Sequence, residues 1–206
     1  VAWLVNGERR HTRTQAERSA ATRAALLASA RALFARDGFA GAAREDIVAA
    51  AGVTRGAMYH HFASKEDLFA AVVEQVEEEV VAMVATAAMT VDDPIEQLRL
   101  GCQAYLDAAL DPGMRRICLL DAPAVLAPDR RQAINDRYGL GLVREALAHA
   151  AADGRIAPAQ VEPLAPMLLA ALLALASHVA HQPDPATARE AVRDTIDALI
   201  AGLVSQ

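Results

Sequence analysis

The sequence is short of aromatic side chains. One Trp, three Tyr and four Phe make up 4% of its 206 residues, although 54% of them are hydrophobic. A core so poor in rings and in β-branched runs has to be built from Ala, Leu and Val, and Ala and Leu favour helices over sheets. No segment carries a credible strand pattern. No contiguous apolar run approaches the ~20 residues that a bilayer crossing needs; the longest, Met167 to Ala176, reads as a buried helix. The apolar start, Val1 to Val5, is too short for a signal-peptide core and has no basic segment before it, so a cytoplasmic location is expected. The two cysteines, Cys102 and Cys118, have no metal-ligand spacing and are expected to be free thiols in a reducing compartment. A redox switch through this pair is the less favoured alternative.

Catalytic constellations are also missing. There is no Gly-rich phosphate loop, no nucleophile elbow and no metal-ligand set. Ser177 and His178 are adjacent on a predicted helix, where neighbours point ~100° apart, so they form no dyad. His178 and His181 share a helix face but have no evident further ligand. The expectation is a chain that is not an enzyme and needs no metal or cofactor.

Charge of one sign is scarce where the other is abundant. The net charge is −6. From Val1 to Lys65 there are ten Arg or Lys against five Asp or Glu; from Glu66 onward there are ten against twenty-one. A basic head on an acidic body suits a head that meets phosphate. Residues 1–18, with Arg9, Arg10, Arg13 and Arg18, read as a flexible basic arm of solvated charge, minor-groove insertion being the alternative.

What is present is helical punctuation, enough for about nine helices. Leu26, Ala30, Leu33 and Phe34 make one apolar face of a first helix that should end near Asp37, with Gly38 as its left-handed terminator and Phe39 closing the end. A short helix from Arg44 to Ala51 is broken by Gly52. Thr54 is a good N-cap for a third short helix ending near Phe62. Ser64, with Asp67 three residues on, caps a long fourth helix whose stripe is Leu68, Val72, Val73, Val76 and Val80. Further helices are expected from Pro94 to Asp111, Met114 to Asp121, Asp129 to Ala152, Val161 to His181 and Pro185 to Val204.

Two short helices joined at Gly52 form a helix-turn-helix, whose second helix leads into the major groove with its N-terminal residues. Arg55 can bond bidentately to guanine, Gly56 lets the backbone approach, and Ala57 can meet a thymine methyl. Tyr59, His60 and His61 suit flanking phosphates. Lys65, the only lysine, sits in the first turn of a helix, where its charge is unfavourable for the helix dipole; a phosphate partner accounts for it better.

The residues from Ala24 to Phe39, and from Asp46 to Phe69 with their Ala-Gly-Val turn and Tyr-His-His-Phe-x-x-Lys block, resemble the DNA-binding domain of the TetR (tetracycline-repressor-like) family. A weaker similarity to one subgroup of these regulators extends through Arg115 to Leu126. The resemblance implies an all-α homodimer: residues 19–65 as a three-helix DNA-binding domain, and residues 66–206 as a helical ligand-binding and dimerisation domain. It implies a palindromic operator and release by a small-molecule effector. By position, Thr54, Arg55, Gly56, Tyr59, His60 and Lys65 match the family's usual DNA contacts. One departure is Ala43, where relatives carry a Ser or Thr cap; Arg44 after it is expected to reach a phosphate that compensates.

An effector pocket is expected between Pro94 and Ala176, with Tyr105, Leu106, Ile117, Leu120, Asp121, Tyr138, Met167 and Leu168 as candidate lining. That lining favours an apolar or amphipathic molecule. The dimer is expected to use the last two helices, through Leu168, Leu172 and Leu175 on one and Val192, Ile196, Leu199 and Leu203 on the other, one of these stripes having to face the subunit's own core. The runner-up class is a non-specific DNA-binding or protein-interaction module.

Overall fold

The computed structural model describes residues 14–203. The arm residues Arg9, Arg10 and Arg13, and Val204 at the far end, lie outside the described residues. Within them the chain is helical, without a strand.

The head is built from α1 (Gln15–Gly41), α2 (Arg44–Ala50) and α3 (Arg55–His61). Thr14 and Glu17 form a capping box at the start of α1, so the last residues assigned to the arm are already helical. Gly38 has φ 73° and ψ 172°, a glycine-only conformation that kinks α1 where its apolar periodicity stops. The turn between α2 and α3 pivots on Gly52 at φ 64°. Thr54 caps α3 by accepting from the Ala57 N–H at 3.2 Å. Ala43 gives α2 no side-chain cap. Leu26, Phe34, Ile47, Met58, Leu68 and Phe69 are fully buried together. Each contributes about 1.5–3 kcal/mol relative to exposure.

The long helix α4 (Lys65–Ala88) joins head to body without a linker. Ser64 accepts from the Asp67 N–H at 3.0 Å and caps it. Its predicted stripe, Leu68, Val72, Val73, Val76 and Val80, is buried. One continuous core runs from the head through α4 into the body.

The body contains α5 (Pro94–Ala108), α6 (Pro112–Met114), α7 (Ala122–Val125), α8 (Pro128–Asn135), α9 (Gly141–Ala152), α10 (Val161–His181) and α11 (Pro185–Leu203). Two π-helical segments, Arg115–Asp121 and Asp136–Leu140, fuse α6 to α7 and α8 to α9. The eleven α-helices, two pairs of them joined through the π segments, therefore make nine continuous rods among the described residues. Pro123, expected to follow a helix, lies inside the first fused rod. A proline has no N–H and its ring crowds the carbonyl four residues back; the wider π turn just before it relieves that crowding. In the second, a Cβ on Gly139 would approach Leu169 Cδ1 to 2.8 Å, so the glycine lets α10 pack close.

Pro158–His181 is one helical stretch long and apolar enough, by length and composition, to cross a membrane, which its contiguous apolar run did not suggest. One side of it packs against α5, α9, α11 and the first π segment. Leu168, Leu172, Val192 and Ile196 are buried inside the subunit, with Leu175, Leu199 and Leu203 half-buried. The leucine-rich stripes of both last helices therefore face their own core.

Candidate nucleic-acid interface and internal cavity

α3 is held at its base by buried Met58 and by Phe62, and turns its remaining residues outward. Thr54, Arg55, Gly56, Tyr59 and His60 are exposed, with Ala57 and His61 half-buried. The Thr54 hydroxyl is occupied as a cap, while its second lone pair and its proton stay available. Arg44, exposed at the start of α2, donates to the Tyr59 hydroxyl at 3.2 Å. Arg55 lies 5.8 Å from the centre of the Tyr59 ring and 3.9 Å from Glu45. Arg44 and Arg55 thus flank one tyrosine.

A polar groove runs alongside, lined by Gln15, Arg18, Ser19 and Thr22 of α1 and by Ala57, His60 and His61. The α1 side of this groove was not singled out in the sequence beyond Arg18. Four polar residues at one-turn spacing near a basic N-terminus were the available signal.

Lys65 has a partner within the chain. Its ammonium donates to the Phe39 carbonyl at 2.5 Å and lies 4.4 Å from the centre of the Phe39 ring. Burial pushes its pKa down, and the charge of nearby Arg44 adds to the effect. The Phe39 N–H donates in turn to Asp121 Oδ2 at 2.6 Å, and Arg116 Nε donates to the same oxygen at 3.2 Å. The stretch after the Gly38 kink is therefore held from the head by Lys65 and from the body by Asp121. Arg31 of α1 pairs bidentately with Glu79 of α4, fastening head to body on another side, while Arg130 pairs with Asp67 at 2.7 Å within the body.

Inside the body a largely apolar cavity lies between α4, α5, α9 and α10. Its walls are Val80, Val81 and Val84 of α4, Leu98, Gly101 and Cys102 of α5, Leu142, Val143 and Ala146 of α9, and Leu169 and Leu172 of α10, with Gly139. The space open to the centre of a water molecule is about 80 Å³, several times what one water needs. Tyr105 and Glu77 also line it.

Of the eight residues expected to line a pocket, Tyr105 is the one found on this cavity. Leu106, Ile117 and Leu168 are fully buried core. Leu120 packs half-buried against that core. Asp121 serves the Phe39 contact, Arg137 lies over the Tyr138 ring, and Met167 is on the surface. The α4 lining was missed, although Glu77 interrupts the inward stripe between Val73 and Val80 and so marked that face.

Cys102 and Cys118 are buried and free. Burial pushes the Cys102 thiol up to about 12 and Cys118 up as well, the opposite of an activated thiol. The redox alternative gains no support. His181 donates from Nδ1 to the Ser177 carbonyl at 2.7 Å, and His178 is exposed.

A trihelical head presenting the N-terminal face of a short second helix defines the helix-turn-helix class. Residues 26–72 match the family described as bacterial regulatory proteins, tetR family, and residues 95–203 match the tetracyclin repressor-like C-terminal domain. The chain belongs to the TetR family of helix-turn-helix transcriptional regulators. A crystal structure of a TetR-family transcriptional regulator from Pectobacterium atrosepticum is 34% identical, with a TM-score of 0.82, covering 94% of this chain and 99% of that one. Two curated relatives are similar over shorter stretches. The HTH-type transcriptional regulator CymR of Pseudomonas putida is 43% identical over 33% of this chain and 34% of its own length. The HTH-type transcriptional activator FasR of Mycolicibacterium smegmatis is 33% identical over 41% of this chain and 39% of its own length. The matches thus span little more than a third of these curated relatives.

Proposed function

We propose that the chain is a cytoplasmic repressor that binds a palindromic operator as a homodimer and is released by a small apolar or amphipathic effector. The observation that carries the DNA-binding part is the exposed face of α3. Arg55, Gly56 and Ala57 lead the helix toward base edges, while Arg44, Tyr59, His60, His61 and Lys65 surround it as phosphate contacts. The arm ends where α1 begins at Gln15, the head extends from there to residue 65, and residues 66–206 serve as the regulatory body.

The effector enters the cavity between α4, α5, α9 and α10. A ligand changes operator affinity only by binding one head arrangement better than another. The Lys65–Phe39–Asp121 contact gives the body a direct hold on the head. The faces of α10 and α11 turned away from the core, with Ala170 and Ala174 exposed on one and Ala191, Thr195 and Ala198 on the other, supply the dimer interface.

Selection of bound sequences from random duplexes tests the reading. The expected result is a palindrome whose half-sites lie ~34–36 Å apart, or a multiple of that. A folded, dimeric protein that selects no palindrome would contradict it. Salt-dependent binding without sequence preference would instead support the non-specific module. Transcription from a promoter carrying the selected site reads whether the effect is repression.

A further inference from the structure

Three polar groups meet at one place beside the otherwise apolar cavity. Glu77 comes from α4, Tyr105 from α5 and Cys118 from the first π-helical segment. Tyr105 shows its ring to the cavity, but its hydroxyl oxygen is buried without a hydrogen-bond partner among the described residues. Glu77 lies close enough for its charge to act on that hydroxyl and on the Cys118 thiol. Burial raises the pKa of the Glu77 carboxyl, and the thiol of Cys118 is the one group that offsets this. A phenol hydroxyl buried without a partner and a largely desolvated carboxyl whose partner is a weak thiol donor are costly in an apolar wall. They are explained if a ligand completes them.

We propose that this cavity selects a small uncharged compound bearing a hydroxyl group on an apolar ring or short chain, a shift of the Tyr105 side chain bringing its O–H to the cavity, the ligand's hydroxyl oxygen accepting from Tyr105 and its proton being donated to Glu77. This rests on, and deepens, the effector-cavity reading. A hydroxyl both donates and accepts, so one ligand atom satisfies both protein groups. A carboxylate ligand has no proton to donate and carries its charge into a wall that offers no cation, where burial already disfavours the ionised form of Glu77. An ammonium can serve the carboxyl but gives the Tyr105 O–H no acceptor. Apart from Gln97, whose amide donates to the Val91 carbonyl, and the buried Cys102, the remaining wall is aliphatic and offers the rest of the ligand mainly apolar contact.

Four probes of similar shape separate these chemistries: 4-methylphenol, 4-methylbenzoate, 4-methylbenzylamine and p-xylene. Their binding to the full chain is measured by titration calorimetry, extended to a series of short alcohols. The phenol, or an alcohol of the series, should bind about tenfold or more tighter than the acid, the amine and the hydrocarbon. Tyr105→Phe and Glu77→Met, each checked by thermal melting, should lose that advantage. Glu77→Gln, which keeps a carbonyl acceptor, should retain most of it. The proposal is overturned if p-xylene binds as well as every hydroxyl probe, if the benzoate binds best, if no hydroxyl probe binds, or if Tyr105→Phe leaves the preference intact. Duplex selection is read separately. A chain that selects a palindrome but shows no hydroxyl preference fails here while the regulator reading stands. One that binds hydroxyl probes but no duplex fails there.

Discussion

Gly38 meets a backbone demand that other residues do not satisfy, and it leaves room for an arginine from elsewhere in the chain. Its φ of 73° with ψ of 172° is closed to side chains with a Cβ, and a Cβ built there would fall on the Arg116 guanidinium. Gly38→Ala is therefore expected to cost about 1–3 kcal/mol, read as a lower urea midpoint with an unchanged slope. The sequence showed that a glycine should end the helix there. It did not show Arg116, which arrives from a distant part of the chain. Lys65 teaches the same lesson. Its position in a first turn pointed to an anion, yet its ammonium holds the Phe39 carbonyl. An ammonium has three donors, so a phosphate can still be reached. Lys65→Met keeps the stem and removes the donors. It is expected to weaken duplex binding several-fold and to lower the slope of log affinity against log salt by about 1. A lower melting temperature with an unchanged salt slope would confine Lys65 to the Phe39 contact.

At the scale of elements, the helices were legible because their signals are local. Thr54, Ser64 and the prolines mark starts, Gly38 and Gly52 mark stops, and the stripe of α4 recurs at helical spacing. The π segments were not legible, since they depend on how Pro123 and Gly139 meet neighbouring chain. The cavity was not legible either, because its lining is set by which helix faces leave space between them. Helix α4 shows what pattern alone leaves unread. Glu77 occupies a position of the inward stripe, with Tyr105 and Cys118 facing it and, among the described residues, no cation near enough to hold it ionised. Its folded pKa lies above the ordinary carboxyl value, so its contribution to stability is full below the unfolded pKa and is lost as pH rises through the folded one. Glu77→Gln removes that loss. Its melting temperature should equal that of the unsubstituted protein in acid and exceed it increasingly toward neutral pH. Asp67 and Asp93, held ionised by Arg130 and by backbone donors with Arg155, titrate alike in both proteins and cancel. A difference independent of pH would show that Glu77 carries no desolvation cost.

For the whole molecule, the decisive quantity is how little of α10 a single subunit covers. Only 39% of its most apolar stretch is buried. The leucines point into the subunit, which leaves Met167, Ala170, Ala174 and His178 exposed along one face. Ala191, Thr195 and Ala198 are exposed on α11. Small residues let helices approach closely, so these faces suit a two-fold bundle better than the leucine stripes do. In a two-fold interface each substitution appears twice. Ala174→Arg places two charges in that interface without touching the subunit's own core. Light scattering should then report a monomer at micromolar concentration, with helical content and melting close to those of a folded subunit. Binding to the selected palindrome should fall by orders of magnitude, because two heads no longer share one binding event, while weak salt-dependent binding persists through the intact α3 face. A variant that stays dimeric and keeps the palindrome would place the interface elsewhere. One that becomes monomeric yet keeps full affinity would show that head spacing is not what the body controls, and the route from cavity to operator would then have to run through Asp121, Phe39 and Lys65 within a single subunit.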